Sequence, residues 1–526
     1  MSKIFRLSLL FMFIGLIKAH SQQIEWQNVF NTHSDGAGAG ISPNSLIDNT
    51  GRIRTVVVES DTLKLYQTIV NGNITNVISS DKRISDNYTP LIKIGENQQA
   101  IVFKAGPFPG QFWLLQIDQN STIVRYVPLD LPQGIVFPKI HNLIYHNQEL
   151  FLTITTNGNH YLMRINDDDS LTTVYNSNIS IAYGEDYYRY QNGLIFSYIN
   201  GNNHIIRNIN TSLGILNWEQ SISTNFGDLL SYKMVSNGNL LYSLGLERIW
   251  VDGLPVDQVN LSQLDVTSGE VQLQHVLNLP INCNNCSIAV NDFIYNATNN
   301  RLYLSYESGF PQLAILLLEI HPETFEITNQ RFFNFTDNIE FFQLTKNSLT
   351  HIGPDGNLIF IYKSYENPTE QMNLHIVALD AALEILGSYE YFVDELDSIE
   401  HLTDVLNYDE SRILITGIVP HQDPSISLEQ CHYFQAMLNL EEMLSVEVKN
   451  PEITIDLYPN PAQNLVYINL AEAGGNILIY DLTGKLILKQ FIHNKEQIID
   501  VSSFESGLYF VRFSQYKDVI KKLVVK

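Results

Sequence analysis

Cysteine is nearly missing from this 526-residue chain: only Cys283, Cys286 and Cys431 occur. A disulfide-stapled scaffold needs more pairs than that, so buried apolar surface has to hold the fold. Basic residues are scarce as well, 31 Lys and Arg against 56 Asp and Glu, for a formal charge of −25. The first 21 residues contribute +3 and residues 451–526 are balanced, which leaves about −28 on the segment between them. That balance argues against a nucleic-acid partner, which needs a basic face, and against anionic membrane surfaces. It suits a soluble exported protein or one that meets cations. No apolar run reaches the roughly 18 residues of a spanning helix, so no transmembrane segment is expected. Residues 313–318 come nearest, and they read as a buried strand. The chain holds no G-x-S-x-G elbow, no H-E-x-x-H and no P-loop. Its 14 His are scattered without paired metal spacing. Neither a metal nor a cofactor is expected, and the catalytic residues stay unknown.

Helical periodicity is almost absent too; residues 395–406 are the one stretch that reads as a short helix. Short apolar runs recur instead, bounded by Asn-Gly, Asp-Gly and Asn-Asn turns, which is the signature of strands and hairpins. In Leu150-Phe151-Leu152-Thr153-Ile154-Thr155 the residues Leu150, Leu152 and Ile154 share one face. Residues 358–362 are continuously apolar, as in a strand buried on both faces.

Aligning the turns reveals a repeat of polar turn, apolar strand, loop, strand, turn, strand. Copies open at Asn192-Gly193, Asn237-Gly238, Asn300-Arg301 and Asp355-Gly356, with similar starts near Gly51, Gln98, Gln148 and Ser411. The spacing is near the length of a four-stranded propeller blade, roughly 45 to 65 residues. The expected fold is therefore all-β, a β-propeller of about seven or eight blades over residues 22–444. A closed ring lets roughly 430 residues form one unit without one giant core. No signature of a named propeller family is present. A linker follows at 445–450. Seven short strands in residues 451–526 then read as a small immunoglobulin-like β-sandwich.

Chemistry-bearing clusters are few. Cys283-Asn284-Asn285-Cys286 has the spacing of a small disulfide loop in an oxidising compartment, with Cys431 apart from both. Zinc would need two more ligands, and redox catalysis a helix after the pair. Asn166-Asp167-Asp168-Asp169-Ser170 reads as a solvated hairpin turn, because it lacks the alternation of a calcium loop. Asp394, Glu395, Asp397, Glu400 and Asp404 read as a solvated face. Tyr183, Tyr187, Tyr188 and Tyr190 beside Glu185 and Asp186 are ordinary strand residues or, less simply, a sugar-stacking surface.

The two ends of the chain speak of export. Lys3 and Arg6 precede an apolar run at 7–17, and Ala19-His20-Ser21 is a small-x-small cleavage site. Residues 1–21 thus read as a signal peptide, with the mature chain starting near Gln22. At the other end stand Leu457-Tyr458-Pro459-Asn460-Pro461, Ile479-Tyr480-Asp481-Leu482-Thr483-Gly484-Lys485, Gly507-Leu508-Tyr509-Phe510-Val511-Arg512 and Lys521-Lys522-Leu523-Val524-Val525-Lys526. In this order and spacing they resemble the type A C-terminal sorting domain of the type IX secretion system of Gram-negative bacteria. The positions that match the pattern are Tyr458, Pro459, Asn460, Pro461, Asp481, Gly484, Gly507, Tyr509 and Lys522.

The resemblance implies recognition at the outer membrane after passage through the periplasm. It also implies removal of the module by a sortase-like peptidase, with release or attachment to surface lipopolysaccharide. The protein is expected in the medium or on the outer-membrane surface. Its cargo is expected to bind a glycan, a protein or a cation; the alternative is an extracellular hydrolase or lyase acting on a polymer.

Overall fold

The computed structural model describes residues 24–31, 44–59, 62–106, 111–135, 138–156, 159–177, 186–200, 203–223, 228–251, 254–280, 288–308, 314–333, 339–352, 356–366, 371–391, 401–420, 431–440, 456–469, 476–481, 486–491, 496–513 and 516–526. Among these residues the chain is all-β, and it divides into two compact units, Met1–Ser445 and Val446–Lys526.

The larger unit is a series of antiparallel meanders behind a lone first strand, β1 (Ile24–Asn31). β2 (Asn44–Ile47), β3 (Ile53–Glu59), β4 (Thr62–Thr68) and β5 (Ile74–Tyr88) continue into β6 (Ile92–Ile94), β7 (Gln98–Ala105), β8 (Gln111–Asp118) and β9 (Ile123–Leu129). These form one eight-stranded sheet, because the long β5 pairs with β4 through its first part and with β7 through its second. The next sheet holds β10 (Lys139–His146), β11 (Glu149–Thr156), β12 (Asn159–Ile165) and β13 (Leu171–Ser177). Then come β14 (Asp186–Tyr190), β15 (Gly193–Asn200), β16 (Asn203–Asn210) and β17 (Ile215–Ser223). The fourth meander is β18 (Asp228–Ser236), β19 (Leu240–Val251), β20 (Leu254–Asp265) and β21 (Val271–Leu277). After it stand β22 (Ile288–Asn296), β23 (Arg301–Ser308), β24 (Ala314–Ile320) and β25 (Ile327–Phe333). β26 (Ile339–Ile352), β27 (Asn357–Glu366), β28 (Gln371–Leu379) and β29 (Ile385–Tyr391) follow. The last sheet joins β30 (His401–Asn407), β31 (Arg412–Pro420) and β32 (Cys431–Asn439) to β1, so the first strand of the unit completes its final sheet.

Apolar seams join the two halves of the eight-stranded sheet to each other and each sheet to the next. Val56, Val58, Leu63 and Leu65 meet Ile101, Phe103, Leu115 and Ile117. Ala100, Val102, Phe112 and Leu114 meet Leu143, Leu152, Ile154 and Met163. Ile144, Phe151 and Leu162 meet Leu194, Phe196 and Ile209. Further seams join Ile195, Ile206 and Trp218 to Leu241 and Leu264, and Leu244 and Leu261 to Leu304 and Leu318. The next two join Leu317 and Phe333 to Leu358 and Phe360, and Ile359 and Ile361 to Ile415 and Phe434. Leu414 and Met437 then return to Ile53 of the first sheet. This is a β-propeller arrangement. It explains the continuous apolar run at 358–362: Leu358 and Phe360 face one neighbour, and Ile359 and Ile361 the other. Residues 315–318 are likewise fully buried in β24, as a strand and not a span.

The turn-strand starts read from the sequence are the connections between the first and second strands of each meander. The inner first strand of most units was hidden, and a bulge is one reason. Bulges fall between Ile140 and Asn142, Leu229 and Ser231, Val290 and Asp292, Ile339 and Phe341, and Leu402 and Asp404. One extra residue breaks the period-two pattern on which a strand is recognised. At two of these bulges a buried hydroxyl on the second strand answers. Asn142 N–H donates to Thr153 Oγ1 at 3.1 Å, and Asp292 N–H to Ser305 Oγ at 3.1 Å. The backbone donors displaced from the ladder are thereby satisfied.

The same effect corrects one expectation. The helix expected at 395–406 is replaced over its second half by β30, which pairs with β31 around the bulge between Leu402 and Asp404.

The smaller unit has two sheets. β33 (Asp456–Tyr458), β34 (Leu465–Asn469) and β37 (Glu496–Asp500) form one. β35 (Asn476–Tyr480), β36 (Leu486–Phe491), β38 (Gly507–Phe513) and β39 (Tyr516–Val525) form the other. Val466, Ile468 and Ile499 from the first share one core with Ile477, Ile479, Val511 and Leu523 from the second. All seven strands lie where the sequence pattern placed them, within a few residues at their ends.

Candidate functional site

Antiparallel meanders sort their connections between two ends. First-to-second and third-to-fourth strand turns fall at one end. Second-to-third turns and the links between successive sheets fall at the other.

The first end is tight and structural. Left-handed backbone clusters there, for example at Asn147, Gln191, Asn300, Gly269 and Leu383. Its third-to-fourth strand turns are latched from the preceding sheet or, at the β8–β9 turn, from the other half of the same eight-stranded sheet. Arg54 Nη2 donates to Gln119 O at 2.7 Å, and Arg125 Nη2 to Asn166 O at 2.6 Å. Arg164 Nη2 donates to Thr211 O at 3.0 Å, and Trp218 Nε1 to Val266 O at 3.0 Å. Gln263 Nε2 reaches Pro322 O at 3.3 Å, and Arg331 Nη1 reaches Leu383 O at 2.7 Å. Tyr408 Oη donates to Gly51 O at 2.9 Å where the last sheet meets the first. Arg54 is fully buried and also pairs with Asp48 at 3.6 Å. Sequence reasoning found none of these latches, since each partner is a backbone carbonyl some 40 to 70 residues away or more.

The second end carries the longer links, and the sequence candidates separate along them. Cys283 and Cys286 lie between β21 and β22, outside the described residues. Tyr183 and Glu185 lie between β13 and β14, and Asp394, Glu395, Asp397 and Glu400 between β29 and β30, also outside them. Asp404 belongs to β30 and Cys431 to β32, where only the backbone is described. Tyr187, Tyr188 and Tyr190 are strand residues that split between two seams. Tyr187 packs with Phe151 and Phe196, while Tyr188 and Tyr190 pack with Trp218 and Leu241. These three rings do not form one stacking surface. The Asp167–Asp169 turn belongs to the other end: Arg125 Nε donates to Asp169 Oδ1 at 2.6 Å, so this turn is a latch as well.

Described polar groups near the second end were not singled out from sequence. Arg248 grips Asp257 with Nε at 2.7 Å and Nη2 at 2.9 Å, and Asp257 Oδ2 accepts from Ile288 N–H at 2.9 Å. This ties the β19–β20 hairpin to the start of β22. Next to it, Glu247 is buried beside Gln258 and Asn260, and burial pushes its carboxyl above the ordinary range. Its signal was a single acid directly after the run Leu244-Gly245-Leu246. His204 is fully enclosed between the sheets: Ser197 Oγ lies 2.6 Å from its Nε2 and Ser243 Oγ 2.9 Å from its Nδ1. Desolvation lowers its pKa to about 3, so it is neutral. Among the described residues no cluster of His, Cys, Asp or Glu has the geometry to hold a metal ion.

Some of the pattern residues of the C-terminal unit do come together. Tyr458 ends β33 and stacks on Tyr467, with ring centroids 5.6 Å apart and planes at 13°. Pro459 and Pro461 flank Asn460, whose Nδ2 donates to Lys522 O at 2.7 Å while its Oδ1 accepts from Val524 N–H at 2.9 Å. Ala462 N–H donates to Val524 O, and Lys526 N–H returns to Ala462 O, both at 2.8 Å. The Pro-Asn-Pro turn therefore clasps β39. Gly507 opens β38 opposite Val525. Tyr509 is buried against Phe504, and its hydroxyl donates to Glu505 O at 2.8 Å. Asp481 follows Tyr480, which pairs with Phe510. Gly484 lies outside the described residues.

Residues 456–526 match the family described as Secretion system C-terminal sorting domain. A type IX sorting domain takes its chain through the periplasm to the cell surface or outer membrane, and it engages the secretion machinery. Among curated proteins, Beta-agarase A of Zobellia galactanivorans is 32% identical over 79 residues, which is 14% of this chain and 15% of that protein. The match thus leaves most of both proteins unpaired. Among solved structures, the WD40 domain of SCAP from fission yeast aligns over 79% of this chain and 98% of its own, with TM-score 0.46 and 9% identity. The Dos1 propeller aligns over 80% and 97%, with TM-score 0.44 and 10% identity. Dihydro-heme d1 dehydrogenase NirN aligns over 70% and 73%, with TM-score 0.42 and 13% identity. Likenesses this distant carry no argument; the propeller arrangement rests on the strand pairing and the seams.

Proposed function

We propose that this chain is an exported binding protein of the type IX secretion pathway. Residues 1–21 act as a signal peptide. Residues 22–444 form an eight-bladed propeller closed by β1, and 445–450 is a linker. Residues 451–526 are an immunoglobulin-like sorting sandwich, in which Tyr458, Pro459, Asn460, Pro461, Asp481, Gly484, Gly507, Tyr509 and Lys522 carry the sorting signal. A sortase-like peptidase removes this module, and the cargo is released or joined to surface lipopolysaccharide. The observation that carries the export reading is the family match at 456–526.

The cargo binds a glycan, a protein or a cation through the end of the ring that bears the longer links. This reading is supported by the division of labour between the ends. The latched end commits its side chains to holding neighbouring turns, which leaves the end with the longer links for contact with a ligand. Cys283 and Cys286 form a loop disulfide there. A screen of the purified secreted protein against glycan, peptide and divalent-cation panels tests it: saturable binding without turnover is expected.

A second reading, an extracellular hydrolase or lyase acting on a polymer, is favoured by the similarity to Beta-agarase A. Release of shortened polymer in the same screen would establish it and displace the first.

A further inference from the structure

We propose that the outward face of the three-stranded sheet in the C-terminal unit is the surface that docks on the secretion machinery, against an apolar protein surface. The inference rests on the reading of this unit as a sorting domain, and it names which face does the work.

Tyr458, Tyr467 and Ile498 stand in one row across the sheet, because Tyr458 pairs with Tyr467 and Tyr467 with Ile498. Leu465, two residues before Tyr467, shares their side of β34. Their exposures are 47%, 38%, 55% and 41%. The alternate residues Val466, Ile468 and Ile499 already fill the core, at 0%, 0% and 1%. The outward apolar set is therefore not needed to fold the unit. Single exposed hydrophobics are ordinary, but an in-register stripe across three strands is the mark of an interaction site. Aromatic anchors of this kind dominate protein interfaces.

The other sheet offers a weaker candidate. Among its described residues Ile487 is the sole large hydrophobic that is clearly exposed, and Arg512 and Lys522 are exposed charges. The stripe is also continuous with the sorting pattern. Tyr458 immediately precedes the Pro-Asn-Pro turn that clasps β39, so the row and the clasp form one rigid feature. Two considerations fix the chemistry of the partner. Residues 451–526 carry eight acids and eight bases, so no net charge directs them to an oppositely charged surface. Tyr458 and Tyr467 stack on each other, and Ile498 and Leu465 offer no hydrogen-bonding group, so the row presents mainly apolar area, which suits an apolar protein face.

The test uses the full chain in cells that export it. Tyr467→Thr with Ile498→Thr removes the middle of the row and keeps strand formers at both positions. The expected result is a drop of about ten-fold or more in the exported fraction, with accumulation in the periplasm of protein whose C-terminal unit is still folded, since the core residues Val466, Ile468 and Ile499 are untouched. A single Ile498→Thr, on the β37 strand alone, gives a smaller drop and guards against misfolding of the pair. A parallel chain lacking residues 514–526 separates the two readings. If that deletion traps the protein while the double variant is exported normally, the face is wrong and the sorting domain stands. If both are exported normally, both readings fall. If sedimentation shows wild-type dimers that the double variant loses, with export unaffected, the face is a contact between copies and the docking proposal is overturned.

Discussion

Asn460 holds Val524 from 64 positions away: its Oδ1 accepts the Val524 N–H at 2.9 Å, while its Nδ2 donates to Lys522 O at 2.7 Å. A side chain in the turn after β33 thus takes the place of a neighbouring strand along the edge of β39. Asparagine is suited to this because one amide carries both a donor and an acceptor.

Asn460→Ala should loosen that edge. Two partly exposed hydrogen bonds are worth about 0.5–1.5 kcal/mol each, so amide exchange at Val524 should speed up by about ten-fold or more. Asn460→Asp keeps the acceptor for Val524 and loses the donor to Lys522, and it should show a smaller effect. Equal exchange in all three proteins would mean that the clasp does not hold the strand.

Arg54 should be among the costliest single positions in the larger unit. It is fully buried, pairs with the buried Asp48 and donates to Gln119 O and to Ser121 Oγ in the other half of the eight-stranded sheet. Arg54→Met leaves the Asp48 carboxylate without its cation, a loss of about 3–5 kcal/mol. Chemical denaturation measures it, and the Asp48→Asn, Arg54→Met double variant should recover part of the loss.

The sequence carried the period of this fold better than its members. Turn residues such as Asn192-Gly193 and Asn237-Gly238 gave eight copies of one start, because turns demand particular residues. The first strand of most copies was invisible, although Tyr187, Tyr188 and Tyr190 of β14 read as strand residues. In β30 the bulge between Leu402 and Asp404 breaks the alternation, and the acids before it mimic a helix start. The C-terminal strands were readable because Val466-Tyr467-Ile468 and Ile498-Ile499 alternate cleanly between core and surface. The latches were not readable at all. Arg54 gives no local sign that Gln119 O is its partner, and nothing around Asn460 points to Val524.

Gly269 and Trp218 test the latch between two successive sheets. Gly269 has φ +74°, and a Cβ there would sit 2.5 Å from the Trp218 ring. Gly269→Ala should therefore destabilise by about 2–3 kcal/mol, from left-handed strain together with displacement of the ring. Trp218→Phe keeps the ring packing and loses the bond to Val266 O, for about 1 kcal/mol. The two melting temperatures should fall in that order; a larger fall for Trp218→Phe would contradict it.

His204 predicts a pH dependence. Its folded pKa is about 3 against an ordinary 6.5, lowered by burial. Between those values the unfolded chain binds a proton that the folded chain refuses. Stability is therefore undiminished above pH 6.5 and falls as the pH drops, by up to about 1.4 kcal/mol per pH unit from this group. His204→Gln cannot be protonated, so its stability should fall less steeply between pH 6.5 and pH 4. Parallel curves for the two proteins would show that His204 is not the group responsible.

The most direct measurement of the whole account is cell fractionation with two chains. One lacks residues 514–526, and so loses the whole β39 strand that Asn460 clasps. The other places residues 451–526 behind a periplasmic reporter. The account predicts that the truncated protein stays in the periplasm with its larger unit folded, and that the reporter appears outside the cell. Truncated protein at the surface in normal amounts, or a grafted reporter that never leaves the periplasm, would contradict it.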